Sequence, residues 1–404
     1  MKKILIVASS LNVEGGIGNC LAKMIAALRD GCPDCELTLQ LLQEKIPDGV
    51  GVDAKDVRIL PLIKSDVIEG SLKSLVISNL RRPLHLLNAL RIRLLFKAGY
   101  SLPLIRYQGN HFNTPDEEFD IAVSYASAVC NYSAYVAKHV RAKRKILWCH
   151  VNIDQHVASK IKGFSMLKIK NIGSFSDVVN TFDSVVCVSK DVEKSVLKEF
   201  PETAGKTQTI YNFVDKERIV SLGQGKAPEI DYDGIKLLTV GRVSYEKGID
   251  LAVKAAKILR DGDCDFRWYF LGDDHTDNEI KQYIKENSLG DCLVFLGRKD
   301  NPYPYFRACD LYVHTSYIEG FCTAVNEARM LALPIVTTAS AGAIEQIENG
   351  INGIVTDTDP GEIAAAVKAM IDSPEKRKSF AGANEKRVFS NKESLLQTIQ
   401  LFNE

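Results

Sequence analysis

The chain has 404 residues, 46% of them hydrophobic and 25% charged, a balance that suits a soluble globular protein of two or three domains and excludes disorder, collagen and small disulfide scaffolds. Lys and Arg number 51 and Asp and Glu 51, giving a formal net charge of zero, which disfavours a nucleic-acid partner. The zero is uneven: residues 1–200 hold 27 basic and 20 acidic side chains, with acid-poor basic runs at 71–110 and 138–170.

Met1-Lys2-Lys3 followed by Ile4–Ala8 reads as a first buried strand. Its apolar core is too short for a signal peptide and no small-residue cleavage site precedes Glu14. No run reaches the roughly 18 apolar residues of a membrane span. The expected location is cytoplasmic, with a peripheral contact at the cytoplasmic face of the membrane left open. The ten cysteines are expected to be reduced thiols. Only Cys32 and Cys35 have C-x-x-C spacing, and with no second pair no structural metal is expected.

Short β-branched and aromatic runs alternate with helical patterns, as parallel strands joined by crossover helices do. In the first half the strands are Ile4–Ala8, Ile121–Tyr125, Ile146–Cys149, Ser184–Val188 and Gln208–Tyr211. In the second they are Lys236–Val240, Arg267–Leu271, Leu293–Leu296, Leu311–His314, Pro334–Thr337 and Gly353–Val355. Ser221–Gly234, rich in Gly, Pro and Asp, reads as a linker. The fold class is α/β, as two facing doubly wound, Rossmann-like domains.

Ligands of such sheets bind beyond the carboxyl ends of the strands. After the first strand, Gly15 and Gly16 open a helical pattern; the turn suits a phosphate, though the spacing is not that of a dinucleotide fingerprint and a plain tight turn reads as well. After Lys236–Val240, the loop Gly241–Gly248 delivers Arg242 and Lys247, a planar donor fork and a point charge suited to a diphosphate; a solvated basic turn is the alternative. After Leu311–His314 come Glu319, Gly320, Phe321, Cys322, Thr323 and Glu327. With a helix starting near Cys322, the amides of Phe321 to Ala324 would face an anion, Glu319 would accept sugar hydroxyls and Glu327 a ribose diol. Two surface glutamates compensating a helix dipole would look the same.

Together these features resemble the retaining glycosyltransferases of family four, which have the GT-B fold and use nucleotide-sugar donors. The likeness extends over nearly the whole chain and rests chiefly on the G-R-x-x-x-x-K-G loop at Gly241–Gly248 and the pair Glu319/Glu327, supported by Tyr211–Asp215, Val188-Ser189 and Ala308–Val313. It implies an acceptor-binding domain at 1–215, a donor-binding domain at 216–385 and a C-terminal helix at 386–404 returning towards the first. It implies that Arg242 and Lys247 bind the donor diphosphate, Glu327 the ribose, and Glu319 with the Phe321 amide the transferred sugar. Gly15 and Gly16 match the family's Gly-Gly loop, backbone around Arg298 and Lys299 would meet the base, and His150 matches the histidine near sugar and acceptor, although a structural histidine reads equally well. His314 is read as a core residue.

The chain departs from the family at Cys322 and Leu333, where glycine is usual, and its glycine-rich stretch is reduced to Ala341-Gly342-Ala343. If position 322 needs positive φ, cysteine costs roughly 1–2 kcal/mol there.

The implied reaction is retaining hexosyl transfer from a nucleotide diphosphate sugar, UDP-sugar favoured, to a glycan or lipid-linked glycan in cell-surface polysaccharide assembly. No cofactor or metal is expected: Asp231/Asp233, Asp263/Asp265 and Asp357/Asp359 have D-x-D spacing but read as turns. Residues 71–110 mix leucines with seven bases, as a segment touching anionic membrane would; a helical hairpin with solvated bases is the alternative. A GT-B-fold nucleotide-sugar epimerase and a non-catalytic glycosyltransferase partner subunit are the competing functions.

Overall fold

The computed structural model describes residues 1–9, 11, 16–41, 52, 57–62, 87, 91, 94, 105–106, 110, 112–153, 172–386 and 391–404. They divide into two α/β units, each with its own parallel sheet. The first takes the described residues of 1–157, 166–213 and 392–404, the second those of 214–391.

In the first unit, β1 (Lys2–Ala8) leads into α1 (Gly16–Gly31), followed by β2 (Cys35–Leu41), β3 (Arg58–Pro61), β4 (Phe119–Ala126), β5 (Ala142–Cys149), β6 (Ser184–Cys187) and β7 (Thr207–Thr209). The sheet order is β3-β2-β1-β4-β5-β6-β7, every pairing parallel. Ile4, Leu5, Ile6 and Val7 are all fully buried, because a parallel strand is covered on both faces.

Two strands escape the sequence reading, β2 and β3. In β2 the polar residues Thr38 and Gln40 are as buried as Leu37 and Leu39. The burial is tolerated because Gln40 Nε2 donates to the Asn113 carbonyl at 2.5 Å and the Tyr135 hydroxyl donates to Gln40 Oε1 at 3.0 Å.

The second unit has the sheet order β10-β9-β8-β11-β12-β13, again parallel throughout. In chain order its elements include β8 (Ile235–Val240), α2 (Ile249–Asp261), β9 (Phe266–Leu271), β10 (Leu293–Gly297), α3 (Tyr303–Ala308), β11 (Leu311–His314), α4 (Thr323–Met330), β12 (Ile335–Thr338), α5 (Ala343–Gln346), β13 (Ile354–Thr356), α6 (Pro360–Ile371) and α7 (Pro374–Lys386), with further helices at Lys216–Leu222 and Asn278–Glu286. Strand alternation supplies two cores. Leu237, Trp268, Phe270, Leu311 and Val313 pack with α2 and α6, while Leu238, Tyr269, Leu271 and Tyr312 pack with α3 and α4.

The expected linker is corrected. The units part between Phe213 and Val214, and Ser221–Gly234 belongs to the second unit, where Ala227 and Ile230 pack on its core and Glu229 pairs with Lys299 at 2.8 Å. Its Gly, Pro and Asp content reflects turns over a surface.

Past the second unit, α8 (Asn391–Asn403) belongs to the first. Lys2 Nζ donates to the Phe402 carbonyl at 2.7 Å and Arg144 to that of Leu401 at 2.6 Å, and the side chains of Leu401 and Phe402 are both buried. These cations satisfy carbonyls left open at a helix C-terminus. Of the basic segment 71–110, only positions 87, 91, 94, 105, 106 and 110 are described; Lys73, Arg81, Arg82, Arg93 and Lys97 lie outside the described residues.

Candidate functional site

In the second unit the sheet order reverses between β8 and β11, the place where an open α/β sheet leaves a crevice for ligands. The loops following these two strands carry Gly241–Gly248 and Thr315–Cys322. They are fastened together: the Thr315 hydroxyl donates to the Lys247 carbonyl at 2.9 Å, and the Ser316 hydroxyl and Tyr317 amide donate to the Glu246 carbonyl at 3.2 and 3.1 Å. Gly248 makes the approach possible. Its φ is +71°, and a Cβ there would stand 1.9 Å from the Thr315 carbonyl oxygen.

This fastening brings Lys247 Nζ to 2.6 Å from Glu319 Oε1. His314 Nε2 lies 3.1 Å from the same oxygen. Burial alone would raise the Glu319 carboxyl, but the Lys247 charge and the His314 contact outweigh it and leave the group far below the usual carboxylate range. Burial pulls Lys247 down, and the Glu319 charge more than restores it. Both groups are therefore ionised at neutral pH. Arg242, half-exposed, pairs with Glu246 at 2.9 Å.

Cys322 takes the left-handed conformation at φ +57° as the N-cap of α4, which has no side-chain cap. The glycine-type backbone is thus kept with a cysteine in place, and its buried Sγ lies 3.4 Å from Ser340 Oγ and 3.3 Å from the Ala341 carbonyl oxygen. Burial pushes the thiol well above its ordinary value, so it stays protonated. Thr323 opens the helix, whose first-turn amides have no intrahelical acceptor. Behind Gly320 and Phe321, the Gln346 side-chain amide donates to the Phe321 carbonyl. Gly342, at φ +73°, packs so closely that a Cβ would meet Phe321 Cα at 2.5 Å. Glu327 is buried in the second turn of α4, accepting from the Tyr303 hydroxyl at 3.0 Å.

Lys247, Glu319, Phe321, Cys322 and Thr323 are thus gathered by two loops and one helix start. Gly241, at φ +146°, begins the first loop. Arg298 and Lys299 follow β10; Lys299 is engaged by Glu229 at 2.8 Å, and together with Tyr305 it holds the Glu229 carboxyl down at about 2. Gly16 and His150 belong to the first unit, and Gly15 lies outside the described residues. His150 is buried at the end of β5, its ring 4.3 Å from that of Tyr125, with Nε2 lacking a hydrogen-bond partner among the described residues. Burial lowers its pKa to about 3, which keeps it neutral.

Sequence reasoning missed Tyr312, His314, Glu246 and Tyr303. The signal for the first two was strand alternation, since Leu311 and Val313 leave Tyr312 and His314 on the opposite face. The donor atoms of His314, Glu319 and Cys322 lie within 4.8 Å of one another, but the Lys247 ammonium already takes a cation's place on Glu319. In the D-x-D stretches, Asp359 caps α6 by accepting from the amides of Gly361 and Glu362, and Asp263 turns at φ +54°.

Residues 224–387 match the family described as glycosyl transferases group 1. The second unit carries a glycosyl transferases group 1 domain. An uncharacterized glycosyltransferase of Methanocaldococcus jannaschii is 29% identical over 227 residues, 55% of this chain and 59% of that protein. The N-acetylgalactosamine-N,N'-diacetylbacillosaminyl-diphospho-undecaprenol 4-alpha-N-acetylgalactosaminyltransferase of Campylobacter jejuni is 26% identical over 227 residues, 54% of this chain and 60% of that one. The chain thus spans about three fifths of the length of these relatives. Among solved structures, Anabaena HepE in complex with UDP-glucose has a TM-score of 0.67 at 18% identity, covering 100% of both chains. Sucrose-phosphate synthase from Thermosynechococcus elongatus scores 0.72 at 16% identity, covering 100% of this chain and 98% of that one. The sequence match centres on the group 1 domain, while the fold likeness runs over both units and is that of GT-B glycosyltransferases.

Proposed function

We propose that the protein transfers a hexosyl unit, with retained anomeric configuration, from a nucleotide diphosphate sugar, UDP-sugar favoured, to a glycan or lipid-linked glycan in cell-surface polysaccharide assembly. The observation that carries this reading is the Lys247–Glu319 pair held beside the open N-terminus of α4 at the sheet's reversal point. A diphosphate draws Lys247 and Arg242 away from their carboxylates, and the helix-start amides add donors where the leaving phosphate gains charge. Glu319, ionised and nearly buried, accepts hydroxyls of the transferred sugar, and Glu327 those of the ribose.

Attack from the leaving group's own face fits this set of groups. The acceptor oxygen bonds to the anomeric carbon as the sugar–phosphate bond breaks, and the acceptor proton passes to the departing phosphate oxygen. His150 cannot give up a proton as an imidazolium at neutral pH, but its buried Nε2 suits a hydroxyl donated by an acceptor bound to the first unit. No essential divalent ion is assigned, since Lys247 and Arg242 supply the cations. The Campylobacter relative's polyprenyl-linked substrate favours a lipid-linked acceptor. So does the basic run 71–110, in which Leu87, Arg91 and Leu94 are exposed. No helix among the described residues is long and apolar enough to cross a membrane, so contact at an anionic surface would be peripheral.

The test is product analysis by NMR with excess EDTA: turnover continues and the new linkage has the donor's anomeric configuration. Activity restored only by Mg²⁺ or Mn²⁺, or an inverted linkage, contradicts this mechanism.

A further inference from the structure

His314 is 5% exposed at the end of β11. Its Nε2 lies 3.1 Å from Glu319 Oε1, close enough for an ion pair but without the alignment of a hydrogen bond in the arrangement seen; its Nδ1 is 3.4 Å from the Tyr312 hydroxyl, and that hydroxyl is 3.4 Å from the Val240 carbonyl oxygen at the end of β8. A chain of polar groups therefore runs from the backbone of one strand through Tyr312 and His314 to the carboxylate.

We propose that His314 is a positioning residue for Glu319, carrying its proton on Nε2 and fixing the plane of the carboxylate that receives the sugar. The electrostatics select this arrangement. A bare ring nitrogen 3.1 Å from an ionised carboxylate oxygen would set lone pair against lone pair inside a buried site, whereas an Nε2 proton turns the same contact into attraction. With Nε2 protonated, Nδ1 is an acceptor, and the single Tyr312 hydroxyl proton, 3.4 Å from both Nδ1 and the Val240 carbonyl oxygen, turns to the ring nitrogen to orient it.

The need for this second hold follows from Lys247. Among the described residues, Lys247 and His314 both contact Glu319 Oε1, but the ammonium is the one a diphosphate recruits. Once Lys247 turns to the phosphates, His314 remains on the carboxylate and keeps it from swinging as the sugar docks. Cys322, the third group at this corner, is a protonated thiol directed to Ser340 and Ala341 and does not compete.

The inference rests on reading Glu319 as the acceptor of sugar hydroxyls, so two measurements are paired. In the full-length chain with ¹⁵N-labelled histidine, the His314 signal is expected to report a protonated Nε2, and Glu319→Gln to shift it. An unprotonated Nε2 overturns the proposal whatever the protein's substrate. In kinetics, His314→Leu is expected to lower kcat about tenfold or more and to weaken nucleotide-sugar binding, leaving UDP binding within about twofold. His314→Gln, whose amide N–H can stand where Nε2–H stood, is expected to recover kcat to within about threefold. Equal losses in the Leu and Gln variants, or unchanged turnover in the Leu variant, overturn it. A protein that binds no nucleotide sugar defeats the functional reading instead, while the nitrogen signal still decides whether His314 holds Glu319.

Discussion

At the scale of single residues, the Lys247–Glu319 pair couples function to pH. Because the folded carboxyl is held below its ordinary value of 4.5, its contribution to stability is complete above that value and fades as pH falls towards the folded one. The urea-unfolding free energies of the protein and of Glu319→Gln should therefore differ by a constant amount from about pH 6 to 8 and converge below about pH 4.5. A gap that widens on acidification would mean that the carboxyl is not so held. Glu319→Gln should also lower kcat/KM by about 10²-fold, the usual loss for one preorganised polar group at a reacting centre. Arg242, Lys247 and Glu319 were legible in the sequence because charged side chains in the loops that follow buried strands stand where ligands of a parallel sheet bind. Tyr312 and His314 were not, since in a strand reading L-Y-V-H they pass for core, and only the Glu319 contact separates a packed histidine from a positioned one.

Among elements, the decisive feature is the closeness of the β8 and β11 loops. Gly248→Ala places a methyl group against the Thr315 carbonyl and forces a strained φ. It should cost about 1–3 kcal/mol of stability and abolish nucleotide binding, because Lys247 then moves away from Glu319. Calorimetry with UDP checks it, and undiminished binding would show that the loops need not touch. Most strands were readable from their apolar runs, but β2 and β3 were not: β2 buries Thr38 and Gln40 through partners far along the chain, which no local pattern announces. The cap of α4 was half readable, with the helix start foreseen and the left-handed Cys322 left open by a residue type that seldom adopts that conformation. Phe402 on α8 is fully buried in the first unit. Phe402→Ala should lower that unit's stability by about 3–5 kcal/mol and leave the second unit's unfolding transition in place; loss of both transitions together would show that the units do not unfold separately.

On the scale of the whole molecule, two doubly wound sheets were legible because each half repeats the strand and helix rhythm of parallel α/β structure. Composition put a linker at Ser221–Gly234, because a Gly-, Pro- and Asp-rich stretch looks alike whether it connects domains or crosses the face of one, whereas the family resemblance put the boundary at 215/216, two residues from the division at Phe213/Val214. The charge asymmetry falls on the same division, with the basic excess in residues 1–200 and the cations proposed for the donor in a half that is otherwise acidic. The central claim is that the second unit takes a nucleotide sugar through Lys247. It is tested by thermal shift of the full-length protein and of Lys247→Ala against UDP, GDP, ADP and their sugar conjugates. A nucleotide sugar at about 100 times its Kd should stabilise the unaltered protein by about 2.7 kcal/mol, with most of that shift lost in the variant. No shift with any nucleotide sugar, or an equal shift in both proteins, would contradict it.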